Sequence, residues 1–387
     1  MKKLLVIFSV IVSCASIFQY VVGRTSFKGS MTTMKVGKTP TSVEIADLNN
    51  DRVPDLIVAN GGDSSVTILL GKGKGLFNEA TGSPFYAGSS PNDVAIADIN
   101  KDGKPDLVFA NHTKKYLTVL IGDGKGGFLP LQDSPFAVNV TPHTHGVAVA
   151  DFNRDGNLDL ATDSWGNNRI EILFGNRRHG FDTPGTFITV GKHPYQRLRA
   201  ADLNRDGNMD MVTTNLDGSN CTVLLGSGKG SFTEPPGSPF PCGDSPFGVA
   251  IGDINNDGKP DLAIVNSPTI TSGNQGKDGL TVLLGDGKGK FTPMPGSPFK
   301  TGKSPNRVAI GDINGDGIND IAVANYNGNN ITVFLMNKRG MLVSSYNLPV
   351  GQNPSGIAIA DINGDSKNEV LVTNSTDNTL CIITAKQ

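Results

Sequence analysis

The sequence has little net charge and lacks the motifs of nucleotide and nucleic-acid binding. Its 34 basic and 36 acidic side chains give a net charge of −2, with both signs interspersed. The sequence has no basic stripe of the kind that would indicate nucleic-acid binding. The chain contains no P-loop motif, and its Gly-x-Gly-x-Gly runs read as hairpin turns and not as a strand-to-helix dinucleotide fingerprint. We therefore expect neither a nucleic-acid nor a nucleotide partner.

The sequence also lacks any internal break between domains. No linker, charge run or low-complexity tract interrupts its 387 residues, although a chain of this length could hold two or three domains. One apolar run, Leu4 to Val12, follows two lysines at the N-terminus and is typical of a secretory signal. We expect residues 1–23 to be this signal and residues 24–387 to form one domain, a monomer.

Two other interpretations of the N-terminus stay open. Residues Ile11 to Cys14 resemble a lipobox, which would place a lipid on Cys14. The apolar segment could also remain as an uncleaved membrane anchor. All three interpretations place the domain outside the cytosol, secreted or at the cell surface, where calcium is abundant enough to fill weak sites.

A motif of the form D-φ-N-x-D-G-x-x-D, with φ apolar, occurs seven times, at spacings of 49 to 59 residues. A period near fifty that continues to the end of the chain indicates a repeat architecture. The first acids of the seven copies are Asp47, Asp98, Asp151, Asp202, Asp253, Asp312 and Asp361.

Each copy presents oxygen side chains at positions 1, 3, 5 and 9, usually with glycine at position 6. Hard oxygen ligands on a tight loop are what Ca²⁺ requires, whereas Mg²⁺ takes fewer protein oxygens. Position 12 is not the glutamate of an EF-hand. The alternative is an Asp/Asn-rich hairpin turn that binds nothing. Besides the first acids, the candidate calcium ligands are Asn49, Asp51, Asp55, Asn100, Asp102, Asp106, Asn153, Asp155, Asp159, Asn204, Asp206, Asp210, Asn255, Asp257, Asp261, Asn314, Asp316, Asp320, Asn363, Asp365 and Glu369.

The first and last copies depart from the motif. Arg52 replaces the glycine of the first copy, and in the seventh copy Ser366 replaces the glycine and Glu369 the last aspartate. We expect these two sites to be weak or empty.

Each repeat contains four short strands and little else. An alternating strand beginning P-x-x-V precedes the acidic loop, and a short apolar strand such as DLIVAN follows it. A third strand then ends at a Gly-rich hairpin, and a G-S-P-F or D-S-P-F segment lies near the fourth. Four evenly spaced strands per unit and 48 glycines predict an all-β propeller.

Over about residues 30–387, the acidic loops and the L-L-G-x-G-x-G-x-F segments resemble the FG-GAP/VCBS repeat family. Its members include the seven-bladed propellers of integrin α-chains and of many secreted bacterial and fungal proteins. The resemblance implies seven four-stranded blades, with Ca²⁺ in the loops between the first and second strands. It implies little about the ligand, because this scaffold hosts many functions.

The ends of the chain predict how the ring closes. The segment from Thr379 to Gln387 should be the third strand of blade seven, and no fourth strand follows it. Lys28 to Val36 matches the fourth strand of other repeats. We therefore expect this N-terminal strand to complete blade seven, which removes two open sheet edges.

Blades three and four break the repeat on the face opposite the acidic loops. Blade three has two extra residues that give His143-Thr144-His145, and Asp163 and Trp165 follow its second strand; blade four has an extra residue near Tyr195 and Arg197. His112 of blade two should lie beside them. The candidate ligand contacts are therefore His112, His143, His145, Asp163, Trp165, Tyr195 and Arg197.

An aromatic ring among polar side chains suits a saccharide, so the first hypothesis is a binding module for extracellular carbohydrate. The second is an adhesion module for a protein partner, using the blade-five insertion Ser267 to Gly279. The third is a polysaccharide lyase, with His143 or His145 as base, Tyr195 as acid and Arg197 neutralising a uronate. No family catalytic motif supports an enzyme.

Two further alternatives concern the same residues. Asp163 with His143 and His145 could hold a transition metal. Trp165 could equally pack between blades within loops that vary without function.

Three cysteines lie in the predicted blades. Cys221 and Cys242 flank the hairpin of blade four and predict a disulfide in an oxidising compartment. Cys381 is then unpaired, and we expect it to be buried.

Overall fold

The structure is a computed structural model that describes residues 14–22, 25–178, 180–268 and 276–386. Its strands form seven antiparallel sheets arranged as the blades of a β-propeller, as predicted. Two single 3₁₀ turns, Leu216–Gly218 and Tyr326–Gly328, accompany the strands, and the residue before the undescribed segment 269–275 is also helical. The described part of the chain has no helix with the length and apolar character needed to cross a membrane.

The first strand of each sheet lines the central channel. Each of these inner strands contacts the inner strand of the next blade, and the last contacts the first, so the ring is closed. Six of the seven begin at a proline, which tolerates a strand start because its missing N–H is not needed there. The inner strands are Pro40–Ala46, Pro91–Ala97, Val147–Ala150, Pro194–Ala201, Pro246–Gly252, Pro305–Gly311 and Pro354–Ala360.

The second strands are the most buried elements. All six residues of each are buried, as the short continuous apolar runs predict. They are Asp55–Asn60, Asp106–Asn111, Asp159–Ser164, Asp210–Asn215, Asp261–Asn266, Asp320–Asn325 and Glu369–Asn374. The third strands are Ser65–Gly71, Tyr116–Gly122, Arg169–Leu173, Asn220–Gly226, Gly279–Gly285, Asn330–Met336 and Thr379–Lys386.

The outer strand is divided in four of the blades. In blades one, two, four and five, two short segments pair with different parts of the third strand, because the Ser-Pro-Phe turn interrupts them. These pairs are Phe77–Glu79 with Phe85–Tyr86, Phe128–Pro130 with Phe136–Ala137, Phe232–Thr233 with Phe240–Pro241, and Phe291–Pro293 with Phe299–Lys300. Blades three, six and seven have single outer strands, Thr186–Thr189, Leu342–Pro349 and Thr25–Lys35.

The N-terminal strand closes the ring, as predicted. Lys28 to Lys35 pair antiparallel with Thr379 to Lys386, the third strand of blade seven. Cys14–Val22 adds a fifth strand outside it. This strand falls within the predicted signal; the remaining signal residues, 1–13 and 23, lie outside the described residues, as does residue 24. A cleaved signal at 1–23 stays a prediction.

The hydrophobic core is divided into seven clusters, one at each interface between neighbouring blades. The apolar residue at position 2 of every acidic loop is buried, which anchors one end of the loop to the core. These residues are Leu48, Ile99, Phe152, Leu203, Ile254, Ile313 and Ile362. The loops are therefore fixed to rigid blades, and only their polar side chains face solvent.

The predicted disulfide of blade four is not formed. Cys221 and Cys242 are buried free thiols, and so is Cys381, which the sequence did predict to be free and buried. Cys221 pairs with Phe240, and the Cys242 N–H donates to the carbonyl of Ser219 at 3.2 Å, so the two cysteines lie diagonally and not opposite each other. Burial, and then the hydrogen bond with Cys221, raise the pKa of Cys242 well above its usual value.

Candidate functional site

The acidic loops are hairpins that connect the first and second strands, all on one face of the ring. In blade two, the N–H groups of Asp102 and Gly103 donate to the two carboxylate oxygens of Asp98 at 3.0 and 2.8 Å. The Asp102 N–H also donates to Asn100 Oδ1 at 3.0 Å. The oxygen side chains are thus turned inward over a tight turn, and corresponding bonds to the first acid recur in all seven loops.

The acid at position 9 is buried beneath each loop. Asp106 accepts hydrogen bonds from the N–H groups of Ile99 and Gly122, both at 2.8 Å. Burial raises the pKa of this carboxyl group to about 6 in Asp106, Asp159 and Asp261 and to about 7 in Asp320 and Glu369. A buried carboxylate beside two exposed ones favours a bound cation, and the carboxylate and amide oxygens suit Ca²⁺. Calcium in these loops stays a prediction.

The two divergent loops keep the same turn at a cost. Position 6 has a left-handed φ near 80° in Gly103, and Arg52 and Ser366 adopt φ values of 65° and 66° at that position. Residues with a Cβ are strained there. The first and seventh loops therefore carry backbone strain in addition to their altered side chains.

Three histidines meet on the opposite face of the ring. His112 follows the second strand of blade two, and His143 and His145 lie in the loop before the inner strand of blade three. Their ring centroids are 4.2 Å (His112 to His143), 5.1 Å (His112 to His145) and 4.7 Å (His143 to His145) apart. His145 is fully buried, while His112 and His143 are partly exposed. The predicted neighbourhood of these three side chains is present.

The aromatic residues of blades three and four extend this cluster. The Tyr195 ring lies 4.3 Å from the His145 ring and 5.1 Å from that of Phe247. Trp165, which is 39% exposed, lies 5.4 Å from His193 and 6.5 Å from Tyr195. Trp165 therefore lies at the edge of the cluster, between the loops of blades three and four, with part of its ring exposed to solvent.

Arg197 is placed differently from the prediction. It is buried, and its Nη1 lies 2.9 Å from Asp93 Oδ1 and 3.6 Å from Glu44 Oε1. Arg199 Nη1 donates to the other Asp93 oxygen at 3.1 Å. The guanidinium of Arg197 is thus engaged in an ion-pair network inside the channel, which holds it away from a ligand.

Asp163 is also engaged within the fold. It is buried and accepts hydrogen bonds from the Gly146 N–H at 2.8 Å and from Thr213 Oγ1 at 2.9 Å. Its carboxylate fixes the start of the inner strand of blade three. The Asp163 carboxylate is therefore held away from the rings of His143 and His145, and the third side chain beside these two is His112.

The channel mouth contains a cavity of about 310 Å³ that the repeat pattern does not predict. Blades one, two, five, six and seven contribute to it. The lining residues are Thr39, Thr41, Asn92, Phe247, Asn306, Arg307, Tyr326, Ser355 and Ser375. Phe247 also contacts Tyr195, and Asn92 Nδ2 donates to the His145 carbonyl at 3.2 Å, so the cavity and the histidine cluster share a wall.

A simple signal could have found this cavity. The residue after the first proline of the inner strand is Thr41, Asn92, Tyr195, Phe247, Asn306 and Ser355 in six blades, and His143 follows Pro142 in blade three. The residues at this position of the seven blades together surround the channel mouth. They are about fifty residues apart in the sequence, so no single repeat shows that they form a group.

The family profile of FG-GAP-like repeats matches residues 47–109, 98–162, 202–264, 269–323 and 312–372, more than half of the chain. The chain belongs to this family of repeat propellers, a fold that serves as a binding module. It is 26% identical over 219 residues to cartilage acidic protein 1 of Xenopus tropicalis, covering 52% of this chain and 32% of that protein. It is 30% identical over 138 residues to a T-cell immunomodulatory protein homologue of Plasmodium yoelii yoelii, covering 30% of this chain and 19% of that protein. The chain thus spans less than a third of the length of either relative.

Solved structures share the fold at low identity. The periplasmic gluconolactonase of Pseudomonas aeruginosa superposes with a TM-score of 0.60 and 16% identity, covering 88% of this chain and 97% of that one. A putative 6-phosphogluconolactonase of Bacteroides uniformis gives a TM-score of 0.60 and 14% identity, covering 87% and 97%. At such identities the likeness shows the fold alone.

Proposed function

We propose that this protein is an extracellular binding module, stabilised by calcium, that holds a terminal sugar of an acidic glycan at the mouth of its central channel. The observation that carries this proposal is the cavity of about 310 Å³ on the face opposite the acidic loops. Its size lies at the lower end of the range for small-molecule sites, which suits one sugar ring.

The chemistry of the cavity wall supports a polar ligand. Phe247 and Tyr326 offer aromatic surface, which can cover an apolar sugar face. Asn306 is buried, and its Oδ1 accepts no hydrogen bond from any residue that the structure describes, so a ligand hydroxyl could supply the missing donor. Arg307 brings positive charge to the same wall, which favours a carboxylated sugar.

A lyase is supported less well by the same geometry. Its mechanism would need Arg197 to neutralise a uronate, and Arg197 is paired with Asp93 inside the channel. Its base would be His143 or His145, and His145 is fully buried.

An adhesion site would use the blade-five insertion. Seven residues of that insertion, 269–275, lie outside the described residues.

The proposal can be tested with a glycan array that includes uronic-acid-bearing glycans, probed at saturating calcium. Asn306→Ala and Tyr326→Ala should each weaken binding at least tenfold, because each removes a contact from the cavity wall. Tyr86→Ala is a matched control, since Tyr86 is 65% exposed on an outer strand of blade one. It should bind like the wild type.

The other outcomes are equally informative. Binding lost only in Trp165→Ala would move the ligand to the edge of the histidine cluster. Wild-type protein that binds no glycan, or cavity variants that bind as well as wild type, would refute the proposal and favour a protein ligand.

A further inference from the structure

We propose that His112, His143 and His145 bind a divalent transition-metal ion, with Zn²⁺ as the probe of choice. This site goes beyond the proposed glycan-binding function and is separate from the acidic loops. Among the His, Cys, Asp and Glu side chains that the structure describes, these three form the one group whose donor atoms all lie within 4.8 Å of one another. Imidazole nitrogens suit zinc, copper and nickel, whereas calcium takes oxygen ligands.

The ring nitrogens of His145 lack the partners that buried nitrogen atoms normally have, which suggests that one of them coordinates a metal ion. His145 has no exposed surface, and within the described residues neither Nδ1 nor Nε2 has a hydrogen-bond partner. Buried polar atoms are nearly always partnered, so a pair of unsatisfied nitrogens in one ring needs an explanation. The imidazole rings of His112 and His143 lie 5.1 and 4.7 Å from the His145 ring, close enough for the three to coordinate one ion. A metal ion coordinated by all three would satisfy one nitrogen of His145.

The backbone that carries these histidines is held on both sides. Thr144 Oγ1 accepts from the Asn111 N–H at 2.6 Å, which ties the blade-three loop to the second strand of blade two. The His145 N–H donates to the Asp163 carbonyl at 3.3 Å, and the His112 N–H donates to the Ser90 carbonyl at 2.9 Å. These bonds fix the two loops beside each other, which is the backbone support that a metal site requires.

The cluster is open to solvent on one side. Three histidines leave a fourth position open, and it can be reached from solvent because His112 and His143 are only partly buried.

The inference is tested by zinc titration of the full chain. The protein is stripped with a chelator, returned to saturating calcium, and titrated with Zn²⁺ by calorimetry. Wild type should bind one Zn²⁺ tightly, and His143→Ala and His112→Ala should each weaken it at least 100-fold. Cobalt should give visible absorption bands in the wild type that are absent from both variants, a signal that a purely structural role would not produce.

His193→Ala is the matched control, because His193 Nδ1 is bonded to Asp217 at 2.6 Å, outside the cluster. It should bind Zn²⁺ like the wild type. Circular dichroism and melting in calcium verify that each variant is folded; His112 and His143 are chosen because they are not fully buried. Wild-type protein that binds no Zn²⁺, or binding that persists unchanged in both variants, would overturn the assignment. Glycan binding through Asn306 and Tyr326 is measured separately, so either proposal can fail alone.

Discussion

The ion pairs inside the channel predict a large and asymmetric effect of one substitution, Asp93→Asn. Asp93 is fully buried and lies 2.9 Å from Arg197 and 3.1 Å from Arg199. Asparagine keeps the shape but removes the charge that both guanidinium groups share. Removing one partner from a buried ion pair costs about 3–5 kcal/mol, because the remaining charge stays buried without compensation.

The neighbouring Glu44 limits this cost. It lies 3.6 Å from Arg197, and burial, opposed by Arg199, raises its pKa to about 7, so it is ionised at pH 8. We therefore expect Asp93→Asn to destabilise the fold by about 3 kcal/mol at pH 8, the low end of that range. Arg197→Met should cost about 1–2 kcal/mol, since Asp93 keeps Arg199 as its partner.

The assay is urea denaturation at fixed saturating calcium. A chain of this length changes its Tm by only about 1 °C per kcal/mol, so the free energy of unfolding is the better measure. Lys259→Met is the control; its partner Asp257, at 3.1 Å, lies on the surface, and we expect a change below about 1 kcal/mol. The reasoning is refuted if Asp93→Asn costs no more than Arg197→Met, or no more than the control.

The remaining predictions concern the acidic loops and ring closure. With calcium chelated, stability should fall as pH rises from about 4 to 7, because the folded protein holds protons on Asp320 and Glu369, whose pKa values are raised to about 7, more tightly than the unfolded chain does. Calcium needs the ionised carboxylates, so the gain in Tm on adding it should be larger at pH 7.5 than at pH 5; a gain independent of pH would contradict calcium binding by these acids. Deleting residues 1–35 should lower the Tm of the whole cooperative transition by about 4 °C or more, since it removes the eight residue pairs that join the N-terminal strand to Thr379–Lys386. Deleting residues 1–24 is the comparison, because it removes only the outermost strand, Cys14–Val22, and keeps the pairs with Thr379–Lys386. The longer deletion should melt at the lower temperature, and equal melting of the two truncations would refute closure by this strand.

The fold could be predicted because the same strand pattern is present in every repeat. The P-x-x-V strand alternates, the strand after the acidic loop is continuously apolar, and seven copies agree on both. Ring closure followed from counting strands at Thr379 and Lys28. The divided outer strand and the free Cys221 and Cys242 could not be predicted, because both depend on how the third and fourth strands are aligned. Cys221 lies opposite Phe240, two residues before Cys242, and the sequence alone does not specify this alignment.

The candidate site was only partly predictable for a related reason. His112, His143, His145, Tyr195 and Trp165 stood out because they break the repeat, and the structure brings them together. The cavity residues do not stand out, since Thr, Asn and Ser are ordinary at the start of a strand and become a group only across the channel.

The roles of Arg197 and Asp163 were hidden as well. The partners of Arg197, Asp93 and Glu44, come from two other blades and meet it inside the ring. The Asp163 carboxylate accepts hydrogen bonds from the Gly146 N–H in its own blade and from Thr213 Oγ1 in the next blade. These pairings are set by how neighbouring blades pack, which no single repeat specifies.

Completion of blade seven by Thr25–Lys35 has a consequence for biosynthesis. The segment Thr25–Lys35 is synthesised about 350 residues before its partner, Thr379–Lys386, and can pair only when that partner has left the ribosome. Six blades can assemble during synthesis while this first segment waits with an unsatisfied edge. The ring can therefore close only after Thr379–Lys386 has been translated, and nascent chains that still lack this strand should be the species that chaperones and proteases recognise.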